Sequence, residues 1–212
     1  MSRSKYRSEL RQEQAATTRR AIIDAARILF VERGYARTTV AEIAAAANVA
    51  VPTVYASVGP KPAILGEWRK EIPVLAGVPE DTRAALALAT DPVQVIRGCV
   101  AVIRRMMETS GDLLFAIESA APFEPAAAEA WEEGLVIHRR GWGMVVERLE
   151  ALGALKQKLP ATKVADVLSL LSLPATWRTF ENDYGWSYDE IESWIVETAI
   201  TSMSHRGRTK HP

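Results

Sequence analysis

The sequence predicts an all-α protein. Three observations carry the prediction. Apolar residues recur at helical spacing in nearly every long segment, no stretch alternates polar and apolar residues convincingly as a half-buried strand does, and helix-start and helix-stop residues bracket the periodic segments. At 212 residues, 48% of them apolar, the chain is long enough for one large domain or two small ones and too apolar to be disordered.

The elements follow in order. Residues 1–17 form a polar, basic arm carrying Arg3, Lys5, Arg7 and Arg11. Residues 18–33 form an amphipathic helix, with Ile22, Ala25, Ala26, Leu29 and Phe30 at i, i+3, i+4, i+7 and i+8 and with Gly34 as terminator. Thr39 followed by Glu42 is a capping box that opens a short helix at about 39–46. Asn48 suits the left-handed turn after it, and a second short helix follows at about 51–57, with Pro52 tolerated in its first turn. Pro62 starts a helix to about residue 71, and Pro73, Gly77 and Pro79 mark a loop. The rest reads as helix. Asp91–Pro92 starts a segment striped by Ile96, Cys99, Val100, Ile103 and Met107 on one face and Val95, Val102 and Met106 on another. Helices are then expected over 111–121, 125–152, 161–181 and 188–204, with a polar tail at 205–212.

Composition excludes several classes. The 26 Lys/Arg balance 26 Asp/Glu, so the chain is not uniformly basic. The charge is uneven, however. Residues 1–61 hold ten basic and five acidic side chains, and residues 62–212 hold sixteen and twenty-one. A basic head that meets an anion, or a chance split, both produce this pattern. The single Cys99 excludes a disulfide framework and cysteine-rich zinc sites. No apolar run nears the roughly 18 residues of a membrane span, and the basic N-terminus has no apolar stretch behind it, so a cytoplasmic protein without a membrane partner is expected.

The three helices at the basic end have the layout of a helix-turn-helix. In that unit the second helix offers its N-terminal N–H groups and cap hydroxyl to a phosphate, and the third lies in the major groove. The residues that fill it are Ile22, Ala25–Ala26, Leu29–Phe30, Glu32 and Gly34–Tyr35, then Thr38–Thr39–Val40, Ile43–Ala44 and Val49, then Thr53–Val54–Tyr55, Lys61 and Ala63–Ile64–Leu65. In order and spacing this stretch, Arg20 to Leu65, resembles the DNA-binding domain of TetR-type transcriptional regulators. Around Tyr184–Gly185–Trp186–Ser187 the chain is also similar to actinobacterial-type members. It departs from the family where Ala50 replaces a capping Ser, Pro52 replaces a Gly, Ser57–Val58 replaces an aromatic pair and Pro60–Lys61–Pro62 replaces Ser-Lys-Glu. The recognition helix therefore presents mainly methyl groups, which read thymine methyls but not guanine edges.

The resemblance implies roles. Tyr55, Lys61 and Thr39 are expected at phosphates, Ala50, Val51, Pro52 and Thr53 at bases, and Arg37, Arg19 and Arg20 at phosphates or the minor groove. Each has a plainer reading: Thr39 caps a helix with or without DNA, Tyr55 packs on the first helix, and the arginines are solvated surface. The resemblance further implies that residues 62–212 bind a small apolar effector, for which Met106, Phe115, Trp131, His138, Trp142 and Trp177 are candidates, against the reading that such aromatics are simply core. It implies a homodimer through the last two helices, with Val167, Leu171, Ile191, Trp194, Ile195 and Thr198 as candidates.

No GxSxG, P-loop, GxGxxG or HExxH motif is present, and the three histidines lack metal-site spacing. No enzyme activity, cofactor or metal is expected. The expected organisation is an arm (1–17), a helix-turn-helix domain (18–61) and a helical ligand-binding and dimerisation domain (62–212). The expected function is that of a sequence-specific repressor on palindromic double-stranded operator DNA, released by an effector. The alternatives are an all-α small-molecule carrier or enzyme without DNA function, and a purely structural dimerisation protein.

Overall fold

A computed structural model describes residues 3–75, 77, 81–155 and 160–203. Pro79 and the polar tail at 205–212 lie outside the described residues. Ten α-helices are present among those described, and no strand. They are α1 (Arg3–Arg33), α2 (Val40–Ala46), α3 (Val51–Ser57), α4 (Lys61–Leu75), α5 (Thr82–Leu88), α6 (Pro92–Ala120), α7 (Pro125–Ala151), α8 (Ala161–Leu171), α9 (Pro174–Arg178) and α10 (Tyr188–Met203). A π-helical turn over Thr179–Asp183 extends α9.

The chain divides into two compact units, Met1–Ile72 with Asp112–Glu132, and Pro73–Gly111 with Glu133–Pro212. In the first, α1, α2 and α3 pack against one another. Its core is built from Ile22, Ala26, Phe30, Tyr35, Ile43, Val54, Ile64, Leu65 and Trp68, all buried. Phe30 is the aromatic hinge of that core, edge-on to Tyr35 at 5.0 Å and to Trp68 at 5.2 Å between centroids. Arg27 ties residues 112–132 to α1 by a bidentate pair, its Nε and Nη2 each donating to Asp112 at 2.7 Å.

The second unit buries Val95, Ile96, Val100, Ile103 and Met107 of α6 beside Trp142, Val145, Val146 and Leu149 of α7, Val164 and Leu168 of α8, Trp177, and Ile191, Ile195 and Val196 of α10. Arg104 anchors the start of α10 through Asp189 at 2.5 Å and Glu192 at 2.7 Å. Burial pushes the Cys99 thiol up to about 12, so it behaves as a small hydrophobe.

Four expectations need correction. First, α1 begins at Arg3 and runs through the stretch read as an arm. Second, α4 continues past Pro73 to Leu75, and the unexpected α5 follows. Third, the helix expected to start at Asp91–Pro92 and the one expected over 111–121 are one continuous helix, α6. Gly111 costs about 1 kcal/mol inside a helix relative to alanine, but the buried stripe continues through Ser110, Leu113 and Ile117. Burying Leu113 and Ile117 outweighs the glycine at roughly 1.5–3 kcal/mol each. Fourth, the helix expected over 161–181 breaks at Ser172–Leu173. Pro174 has no N–H and its ring excludes the carbonyl four residues back. The carbonyl of Leu170 accepts instead from Thr176 Oγ1 at 3.1 Å.

Candidate nucleic-acid interface

The site begins where α1 ends. Gly34 adopts φ +84°, a left-handed conformation that glycine enters without strain. The chain then turns through Tyr35–Thr38. Thr38 is buried, and its hydroxyl donates to Gly34 O at 3.0 Å and Leu29 O at 3.3 Å, which satisfies carbonyls at the helix end.

Thr39 closes the capping box expected from its spacing. Glu42 N–H donates to Thr39 Oγ1 at 3.2 Å, and Thr39 N–H donates to Glu42 Oε2 at 2.8 Å. Those hydrogen bonds hold the Glu42 carboxyl below the usual carboxylate range. Asn48 takes φ +53° and turns the chain between α2 and α3, whose axes differ by 95°.

Ala50 caps α3 without a side-chain hydrogen bond, as the loss of the usual Ser implies, and Pro52 sits in the first turn. Val54 faces inward at 0% exposure, while Ala50, Val51, Pro52, Tyr55 and Ala56 are exposed and Thr53 is half-buried. The first turn of α3 is thus an exposed, mainly apolar turn, followed by Tyr55, a residue 52% exposed.

The basic residues divide into two groups. Arg37 is exposed in the turn, its Nε on Arg33 O at 2.7 Å. Arg20 pairs with Asp24 on its own helix at 3.0 Å. Arg19 donates to Ser57 O at the end of α3 and pairs with Glu67 of α4 at 2.8 Å, so it braces three helices. Lys61 is turned inward. Its Nζ donates to Tyr35 O and Thr38 O, both at 3.0 Å, and stands 4.0 Å from the Tyr35 ring centroid. Burial lowers its pKa and the charge of Glu124 partly opposes that. Glu124 also accepts from Tyr35 Oη at 3.2 Å. Burial and that carboxylate together push the Tyr35 phenol well up. Glu124 was not legible in the sequence, because nothing local links it to a residue so far back in the chain.

The six effector candidates do not gather in one unit. Phe115 and Trp131 belong to the first, and Met106, His138, Trp142 and Trp177 to the second. Trp142 and Trp177 are core side chains at 0% exposure. Trp142 Nε1 donates to Ser172 Oγ at 2.7 Å, and His138 Nε2 lies 3.1 Å from Ser169 O and 3.3 Å from Ser172 Oγ. Burial lowers the His138 pKa, with the Ser169 hydrogen bond opposing it. A cleft of about 370 Å³ in the second unit is lined by Val136, Arg139, Arg140, Gly143, Val146 and Glu147 of α7 with Ala161, Thr162 and Ala165 of α8, and none of the six candidates lines it.

Of the interface candidates, Ile191 and Ile195 are fully buried and present nothing outward. Trp194 is half-buried against Phe180 at 5.0 Å. Leu171 and Thr198 are half-buried, and Val167 is 44% exposed. Other outward apolar groups were missed by sequence reading, among them Val136 and Ile137 of α7 and Leu170 of α8, each more than 60% exposed. Among the described residues no group of three His, Cys, Asp or Glu stands close enough to hold a metal, and no single helix is long and apolar enough to cross a membrane.

Comparison with known proteins places this geometry. Residues 22–65 match the family described as bacterial regulatory proteins, tetR family. No curated protein matches the chain. Among solved structures, the fold is similar to NalD, the secondary repressor of the MexAB-OprM multidrug efflux pump in Pseudomonas aeruginosa, at 20% identity over 92% of this chain and 99% of that one, with a TM-score of 0.71. It is similar to the fatty acid degradation regulator FadR from Bacillus halodurans at 17% identity over 89% and 97%, with a TM-score of 0.66. It is also similar to the regulator PfmR from Thermus thermophilus, at 16% identity over 89% and 97%, with a TM-score of 0.64.

Proposed function

We propose that this chain, a DNA-binding transcriptional regulator with the tetR-family N-terminal domain, works as a two-fold-symmetric repressor that a small apolar effector releases from a palindromic operator. The observation that carries the reading is the first turn of α3, where Ala50, Val51 and Pro52 are exposed to solvent. An α-helix fits the major groove, and methyl groups there meet the C5-methyl of thymine. Tyr55, Thr39 and Arg37, all exposed, are the phosphate contacts in this reading, Thr39 by giving up the hydrogen bond its hydroxyl donates to Glu42 Oε2 at 2.9 Å. Lys61, bonded to Tyr35 O and Thr38 O, is not one of them.

The dimer is assigned to the outward apolar groups of α7 and α8, Val136, Ile137, Val167 and Leu170. A two-fold dimer sets its two recognition helices about 34–36 Å apart, one turn of DNA. An effector that binds best to a different spacing shifts the population off the operator. NalD is a repressor tied to a multidrug efflux pump and FadR regulates fatty acid degradation, which supports repression and an apolar effector here. Members of this family are in general not enzymes, and we assign this chain no catalytic step and no cofactor. A DNA regulator works where the DNA is, so we place it in the cytoplasm.

Selection from random duplex DNA at two salt concentrations tests the reading. The expected product is an inverted repeat whose half-site centres lie about one helical turn apart, with affinity falling steeply as salt rises. Recovery of no sequence above background removes it and leaves a helical small-molecule-binding protein.

A further inference from the structure

We propose that Glu124, at the junction of α6 and α7 and outside the family-matching segment, is a positioning residue for DNA binding that acts through Tyr35 and Lys61 on the turn between α1 and α2. The inference rests on the DNA-binding reading above.

Three interactions converge on Tyr35, whose side chain is buried. Its hydroxyl donates to Glu124 Oε2 at 3.2 Å, its ring carries the Lys61 ammonium at 4.0 Å, and its carbonyl accepts from Lys61 Nζ at 3.0 Å. Lys61 donates again to Thr38 O at 3.0 Å. An ammonium has three N–H donors. Two go to carbonyls and the ring face takes up the remaining charge, so in this arrangement Lys61 joins the head of α4 to the turn that presents Arg37 and Thr39. Glu124 is itself fixed by its backbone. Its N–H donates to Ala120 O at 3.0 Å, and its carbonyl accepts from Ala127 and Ala128 at 3.0 Å as α7 begins. Any movement at the α6–α7 junction therefore moves a carboxylate bonded to Tyr35, and Tyr35 is what Lys61 grips.

The charge gives a sign test. A carboxylate in a DNA-binding unit repels phosphate, so simple electrostatics has its removal strengthen binding. A positioning role has its removal weaken binding. Hydrogen exchange at the amides of residues 36–46 in the free protein, and affinity for the duplex recovered by selection, are measured in E124A, Y35F, the E124A/Y35F double variant and E124Q. The amide of Gln still accepts from Tyr35. The expected result is faster exchange and about tenfold weaker binding in each single variant. The double variant should be no worse than either single one, as for two members of one interaction, and E124Q should lie near the wild type. Unchanged exchange in E124A, unchanged or tighter DNA binding in E124A, or fully additive losses would each overturn the proposal. Wild-type protein that binds no duplex defeats the regulator reading itself, and with it any DNA-positioning role, whatever exchange shows.

Discussion

At the scale of single residues, Thr39 and Glu42 do the most local work. The pair satisfies two backbone donors at the start of α2 reciprocally, within one turn. Thr39→Ala should cost about 1 kcal/mol of stability, read by denaturant melting at neutral pH. The Glu42 pKa is lowered in the folded protein, so its contribution is present above the unfolded value and is lost as pH falls through the folded one. The gap between Thr39→Ala and wild type should narrow on acidification below the ordinary carboxylate range, and a gap constant with pH would contradict the reciprocal cap. Arg37 and Lys61 separate by salt. Arg37→Ala should lower the slope of log affinity against log salt by about 0.9, as loss of one phosphate contact does. Lys61→Ala should weaken binding without that change, because its donors are spent on Tyr35 O and Thr38 O. This is also where sequence reading was strongest and weakest. The capping box, the Asn48 turn and the bare Ala50 cap were legible because each is decided within four residues. Glu124 against Tyr35 was not, because only the folded chain brings them together.

At the scale of helices, what sequence periodicity gets right is the face and what it gets wrong is the end. Helix α6 runs through Gly111 because its buried stripe does not stop there. Helix α8 stops early because Pro174 cannot donate, however apolar the residues around it. The break has a use. It leaves Ser172 where its hydroxyl accepts from Trp142 Nε1 at 2.7 Å and donates to Leu168 O at 3.0 Å, joining α7 to α8 where both side chains are fully buried. Ser172→Ala strands a buried indole N–H and should destabilise the protein by about 1–3 kcal/mol, whereas a serine that only ended a helix would cost far less. Thermal or denaturant melting reads the difference.

At the scale of the whole molecule, the proposed function rests on two surfaces, the apolar turn of α3 and the apolar groups on α7 and α8. The second gives a direct test of assembly. Leu170 is 63% exposed, so Leu170→Lys should leave the fold intact and shift sedimentation from dimer to monomer, and an unchanged dimer would move the interface elsewhere. Ile191 and Ile195, apolar at helical spacing, were candidates in the sequence and Leu170 was not, and burial reverses that order: the two isoleucines are at 0% exposure. The central claim concerns α3: its first turn reads bases. The measurement that tests it most directly is selection from random duplex DNA with wild type and Val51→Gln in parallel. Glutamine pairs with adenine where valine meets only a methyl group. The account predicts the same inverted repeat and spacing from both proteins, with one base pair changed in each half-site. An identical sequence from both, or no repeat from the wild type, would contradict it.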